Sequence, residues 1–154
     1  MKITHIGSVL MCQPHPWVFV KVHTDTGIVG IGEAYHGVGV HQAIIDERFQ
    51  SLLIGEDPRN VVKLFHRMMR WKASYAGVIM KAISGVESAL WDIVGKANDI
   101  PIWQLLGGKF RDEIRLYNDC HAGDEEPPEA YMTKAKAAEA RGFTAIKFDI
   151  DPLP

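Results

Sequence analysis

The chain has 154 residues, with 17 Lys and Arg against 19 Asp and Glu, a formal net charge of −2, 47% hydrophobic and 23% charged residues. This is an ordinary globular composition, long enough for one domain plus part of another. It excludes the basic stripe of a nucleic-acid surface and the Lys/Arg run of a protein that sits on anionic membranes. No apolar run is long enough to span a bilayer, and the N-terminal "MKITHIGSVLMCQPHPW" lacks the apolar stretch of a signal peptide. Cys12 and Cys120 form no CxxC, so two free thiols in a reducing, cytoplasmic setting are expected.

In chain order, "MKITHIGSVL" predicts a strand. "HPWVFVKVHTDTGIVGIGEAY" predicts a β-hairpin: Val18, Val20 and Val22 alternate, Asp25 and Gly27 supply the turn, and Ile28, Val29 and Ile31 resume. Helices follow. Ile45, Phe49 and Leu52 share one face of "HQAIIDERFQSLLIG", which Gly55 ends. Asp57 as N-cap and Pro58 at the first helical position open a second helix, with Val61, Leu64, Phe65 and Met68 on one stripe. A third, "GVIMKAISGVESALWDIVGKAND", is apolar around most of its circumference and is expected to be buried on several sides. Pro101 restarts the chain after it, and Gly107-Gly108 halts it.

Beyond Gly108 the pattern changes to strand ("EIRLYNDCHAG"), alanine-rich helix ("PPEAYMTKAKAAEARG") and strand ("FTAIKFDID"), a βαβ unit whose strands should be parallel. Two parallel strands do not make a stable sheet, because parallel sheets need both faces covered. The expected architecture is therefore α+β, a three-stranded antiparallel sheet with a helical bundle. The opening unit of a larger α/β domain then follows and stops after its second strand.

The stretches "TDTGIVGIGEA", "SGVESALWDIVGKANDIPIWQLLGGKFRDEIRLY" and "ARGFTAIKFDID" resemble the enolase superfamily in its mandelate racemase and muconate lactonizing branch, most of all the sugar-acid dehydratases of the galactonate dehydratase type. The resemblance implies a capping domain over residues 1–112 and, in residues 113–154, the start of a (β/α) barrel, a fold that takes about 250 residues when complete. It implies a Mg²⁺ enzyme that abstracts the proton α to the carboxylate of a small sugar acid, forms an ene-diolate and loses the β-hydroxyl as water. The full-length protein is expected to be a homo-oligomer, and the Mg²⁺ ligands are expected on later strands, beyond Pro154. The 154-residue piece alone is expected to be inactive. A racemase or cycloisomerase of the same superfamily, or a stand-alone binding module, are the alternatives.

Residues two apart on a strand share a face, so Lys147 and Asp149 point together at the end of the last strand. Ile146, Phe148 and Ile150 point the other way, toward helices. The family places a Lys-x-Lys pair there, which implies a catalytic Lys147; Asp149 departs from that pattern. Either Lys147 is a base, or a salt bridge with Asp149 keeps it charged as an electrostatic partner of substrate, or it simply reaches solvent. Asp119 and His121 end the preceding strand and are candidates for substrate contact. In the capping region His15, Trp17, His36 and Tyr75 are the candidates on loops that the family closes over substrate. Glu33 and Asp92 are expected to support the fold, the latter through an i, i+4 pair with Lys96. His36 and His41 are five apart, so they offer no helical metal-ligand pair, and no metal site is expected in these residues.

Overall fold

A computed structural model describes residues 1–12, 16–36, 39–70, 77–120 and 127–148. The chain divides into two units, Met1–Lys109 and Phe110–Pro154, each with its own internal packing.

The first unit begins with a three-stranded antiparallel sheet of order β1 (Ile3–Met11), β2 (Trp17–Thr24) and β3 (Val29–His36). Alternation puts Val18, Val20 and Val22 of β2 in the core, as the sequence predicts. On β1 the buried residues are Ile3 and Ile6, three apart rather than two. The pairing steps from Ile3–Thr24 to His5–His23, so a bulge resets the phase between them. The turn between β2 and β3 uses Gly27 at φ +83°, with Gly27 N donating to Thr24 O at 3.2 Å.

On β3 the core row is Gly30, Gly32 and Ala34, while Ile31 is 52% exposed. Small residues are needed on the inner row because α4 (Val78–Asn98) lies directly on this strand. A Cβ at Gly30 would stand 2.0 Å from Ala89 O, and one at Gly32 2.0 Å from Gly85 O. Ala82, Ile83, Val86, Leu90 and Ile93 of α4 complete the core, which bears out the expected burial of this helix. Its C-terminus closes on Asp99 in a left-handed conformation, φ +55°, with Ile100 N donating to Gly95 O. A single short turn, α5 (Ile102–Leu105), follows Pro101.

Both edges of the sheet are sealed by side chains from helices. Along β3, Asp92 Oδ2 accepts from Ile31 N at 2.8 Å, and Lys96 Nζ donates to Val29 O at 2.8 Å. Asp92 and Lys96 also pair with each other at 2.6 Å. Along β1, Gln50 Oε1 accepts from Ile6 N at 3.1 Å, and Ser8 Oγ donates to Asp46 Oδ1 at 2.8 Å. Exposed strand edges invite pairing with other chains, and the bonds to Ile6 N, Val29 O and Ile31 N occupy backbone groups that would otherwise offer it.

The helical segment after β3 departs from the simple reading. It runs as α1 (Gly39–Ala43), a π-helical stretch (Ile44–Phe49) and α2 (Gln50–Leu53). The wider π turn shifts the phase, so Leu53, not Leu52, joins Ile45 and Phe49 in full burial. The next helix, α3, spans Val61–Met69 and is capped at Asn60, three residues later than Asp57–Pro58 suggested. Asp57 instead holds a turn: its Oδ1 accepts from Arg59 N at 3.0 Å, and its carboxylate pairs with the Arg59 guanidinium at 2.7 Å. The core stripe of α3 is Val61, Leu64 and Met68, with Phe65 partly buried against it.

In the second unit β4 (Asn118–Asp119) and β5 (Ile146–Lys147) pair in parallel, joined through α6 (Pro128–Ala140). Of the strand expected over 113–123, the described residues 113–120 form a ladder only at Asn118–Asp119. Leu116 and Tyr117 are exposed, so no burial holds the preceding stretch in a ladder. Gly142 at φ +89° closes α6 as expected. Phe148 packs edge-on against Tyr131 of α6, ring centroids 5.5 Å apart, and Ile146 remains 39% exposed.

Candidate functional site

Lys147 and Asp119 end the two parallel strands at the same level. They are register partners, and Lys147 Nζ lies 3.0 Å from Asp119 Oδ2. Their side chains are 46% and 49% exposed, so the pair is a solvent-reached ion pair of small energetic worth, held by strand register rather than by burial. Cys120 N donates to Lys147 O at 2.9 Å, and Asn118 N to Ala145 O at 3.0 Å, which fixes the backbones that carry both groups. Asn118 Nδ2 donates to Cys120 Sγ, and the buried Cys120 packs against α6 through Lys134 O. An ammonium locked beside a carboxylate can meet an anionic ligand as a fixed charge.

The other sequence candidates divide as follows. Trp17 opens β2 as a half-buried residue whose register partners are Met11 and His36, so the first and last residues of the hairpin strands meet there. His15, Tyr75, His121 and Asp149 lie outside the described residues, as does the His36 side chain. Lys147 is therefore brought together with Asp119.

A feature that sequence reading missed sits beside His36. Pairing steps from Phe19–Glu33 to Trp17–His36, so β3 carries one extra residue, and Tyr35 adopts φ +69°. A bulky residue in the left-handed region is a strained outlier. The Lys81 ammonium of α4 stands 4.3 Å above the Tyr35 ring centroid, a cation–π contact. The sequence offers no signal for it, because glycine is the residue that normally announces such a bulge.

Among the described residues no group of three His, Cys, Asp or Glu side chains could hold a metal ion. No helix among them is long and apolar enough to cross a membrane.

The antiparallel sheet, the helices against one face and the parallel pair that follows define an α+β capping architecture. Residues 4–107 match the model of the mandelate racemase / muconate lactonizing enzyme N-terminal domain, and the chain belongs to that family. Two curated relatives are the D-xylonate dehydratase of Haloferax volcanii, 42% identical over 97% of this chain, and the D-galactonate dehydratase of Verminephrobacter eiseniae, 37% identical over 97%. The chain spans 37% and 38% of their lengths. Among solved structures, an enolase from Pantoea ananatis with bound D-gluconate and Mg superposes with a TM-score of 0.84 at 31% identity, covering 96% of this chain and 36% of that one.

Proposed function

We propose that the chain is the N-terminal part of a sugar-acid dehydratase: capping domain first, residues 113–154 opening the (β/α) barrel. The observation that carries this is the 42% identity to a D-xylonate dehydratase across nearly the whole chain, supported by 37% identity to a D-galactonate dehydratase. The substrate class is a small polyhydroxylated carboxylate, and the reaction is loss of the β-hydroxyl after removal of the proton α to the carboxylate. Cofactor, oligomeric state and cytoplasmic location remain parts of the same proposal for the whole protein.

Lys147 is the catalytic candidate among the described residues. Paired with Asp119 at 3.0 Å, it is poised to act as a fixed cation toward the substrate carboxylate or the charge that builds on it. Trp17, His15, His36 and Tyr75 are assigned to substrate selection, Asp119 and His121 to the strand-end site, and Asp149 to tuning Lys147. Mg²⁺ takes several oxygen ligands. Asp119 beside Lys147 supplies a single carboxylate already in an ion pair, so the described residues do not fit a Mg²⁺ site.

The test is a panel of aldonic and uronic acids incubated with the full-length protein and Mg²⁺, reading 2-keto-3-deoxy acid as product. Dehydration of at least one sugar acid is expected, and none from residues 1–154 alone. Epimerised substrate without dehydration would assign the racemase reaction, and a folded full-length protein inert toward the whole panel would refute the enzyme reading.

A further inference from the structure

The face of the sheet turned away from the helices carries a trough of about 490 Å³ lined by His5, Gly7, Val9, Phe19, Lys21 and His23 among others. Gly7 supplies no side chain, and a Cβ there would stand 3.0 Å from His5 Nε2, so the His5 ring leans over the vacant position. The bulge near Ile3 sets His5 directly opposite His23 on the neighbouring strand. Their ring centroids are 5.6 Å apart, with the planes tilted by 44°.

We propose that His5 and His23 form a two-imidazole site for a divalent transition metal such as Zn²⁺, Ni²⁺ or Cu²⁺ on the outer face of the sheet. Imidazole suits these ions, whereas Mg²⁺ prefers oxygen. With metal–nitrogen bonds of about 2.0–2.1 Å and ring nitrogens about 1.2 Å from the centroid, two imidazoles at a tetrahedral angle place their centroids roughly 5.3 Å apart. The observed separation is within a few tenths of an ångström of that, so the two rings stand at the spacing that a shared ion requires. Register partners on adjacent antiparallel strands hold both rings without a loop to order. The remaining coordination positions open into the trough, where water or a small exogenous ligand fits. Lys21 is the other charged group lining the trough, and its repulsion lowers the affinity without removing either ligand.

The assignment does not depend on the proposed function. Its test is calorimetric titration of the tag-free full-length protein with NiCl₂ at neutral pH. The Cys12→Ser background is used throughout, because Cys12 is an exposed thiol that would compete for the ion. One saturable Ni²⁺ event is expected to be lost in both His5→Gln and His23→Gln. Loss of a mere hydrogen-bond partner of a ligand costs about 10–100-fold in affinity, so loss of the ligand itself should cost at least ~10-fold. Cu²⁺ bound to the protein should show two nitrogen donors in its electron paramagnetic resonance spectrum, and one in either variant. Lys21→Ala should tighten binding, and MgCl₂ should give no event that the His variants remove. Circular dichroism confirms that each variant is folded. Ni²⁺ binding unchanged in both glutamine variants, or no saturable binding to the parent protein, overturns the assignment.

Discussion

Gly32→Ala tests the packing on which the capping unit rests. The added Cβ would stand 2.0 Å from Gly85 O and 2.9 Å from Ala89 N, both backbone atoms of α4. Ordinary contact begins near ~3.4 Å, and the interior is close-packed, so the helix must lift off β3 by more than about 1 Å. A backbone oxygen has no rotamer to escape into. The lift would also loosen Ile83, Val86, Leu90 and Ile93, which are fully buried on the same helix. Overpacking costs about 1–3 kcal/mol even where side chains can adjust, so the expected loss here is about 3 kcal/mol or more. For a chain of this size that lowers the melting temperature by roughly 10 °C. Urea unfolding followed by far-UV circular dichroism measures it as a lower midpoint at unchanged slope. Gly39→Ala is the control: nothing lies within 4 Å of its added Cβ. It should be neutral or stabilising by up to ~1 kcal/mol. A Gly32→Ala protein within ~0.5 kcal/mol of the parent would refute direct seating of α4 on the small-residue row.

At Tyr35, both Tyr35→Asn and Tyr35→Val remove the ring under Lys81, but only asparagine tolerates φ +69°; the Asn variant should be the more stable by about 1 kcal/mol or more in the same urea assay, and equal stabilities would deny the strained bulge. Hydrogen bonding from Arg59 holds the Asp57 carboxyl down at about 2 from an ordinary 3.8. Its contribution to stability is therefore complete above the ordinary value and lost as pH falls through about 2. In Arg59→Ala the carbon-13 titration of Asp57 should move up toward 3.8, with little change in neutral-pH stability because the pair is exposed; an unmoved midpoint would remove Arg59 as the cause. In the full-length protein, Lys147→Ala should leave folding nearly intact and cut kcat by about 10² or more, with a smaller loss for Asp119→Asn; wild-type kcat and KM in Lys147→Ala would mean that the lysine only faces solvent.

Patterns of period two and 3.6 made most of the capping unit legible. The valines of β2, the Gly27 turn and the long buried helix follow from local spacing and local turn chemistry. The parts that escaped depend on partners distant in sequence. Gly30 and Gly32 read as weak strand residues until α4 is laid over them. Asp92 was legible as one half of a helical charge pair, yet its larger role lies across the fold, where it accepts from Ile31 N and seals β3. The π turn after Ala43 and the bulge at Tyr35 each add a residue to a regular element, which shifts phase without leaving a glycine or proline to mark the place.

The strand-end lysine shows how the same limit acts on a site. Face-sharing within one strand set Lys147 beside Asp149, which lies outside the described residues, and did not reveal the acid on the neighbouring strand. Residues two apart along a strand are separated by roughly 6.6 Å, whereas neighbouring strands lie only about 4.8 Å apart. A carboxylate in register on the adjacent strand is therefore nearer to a strand-end lysine than one two residues ahead. Asp119 occupies that position, 28 residues back in sequence, and the ion pair at 3.0 Å follows from the parallel register Asn118–Ile146, Asp119–Lys147. Register is what sequence periodicity leaves open, since a slip of one residue would turn Asp119 to the opposite face. If Lys147 works as a fixed cation, Asp119→Asn must change its behaviour, and Asp119→Glu, which keeps the charge on a longer arm, should recover part of the loss. Rescue by glutamate would separate an electrostatic role for Asp119 from a merely steric one, and wild-type kinetics in Asp119→Asn would mean that Lys147 acts without it.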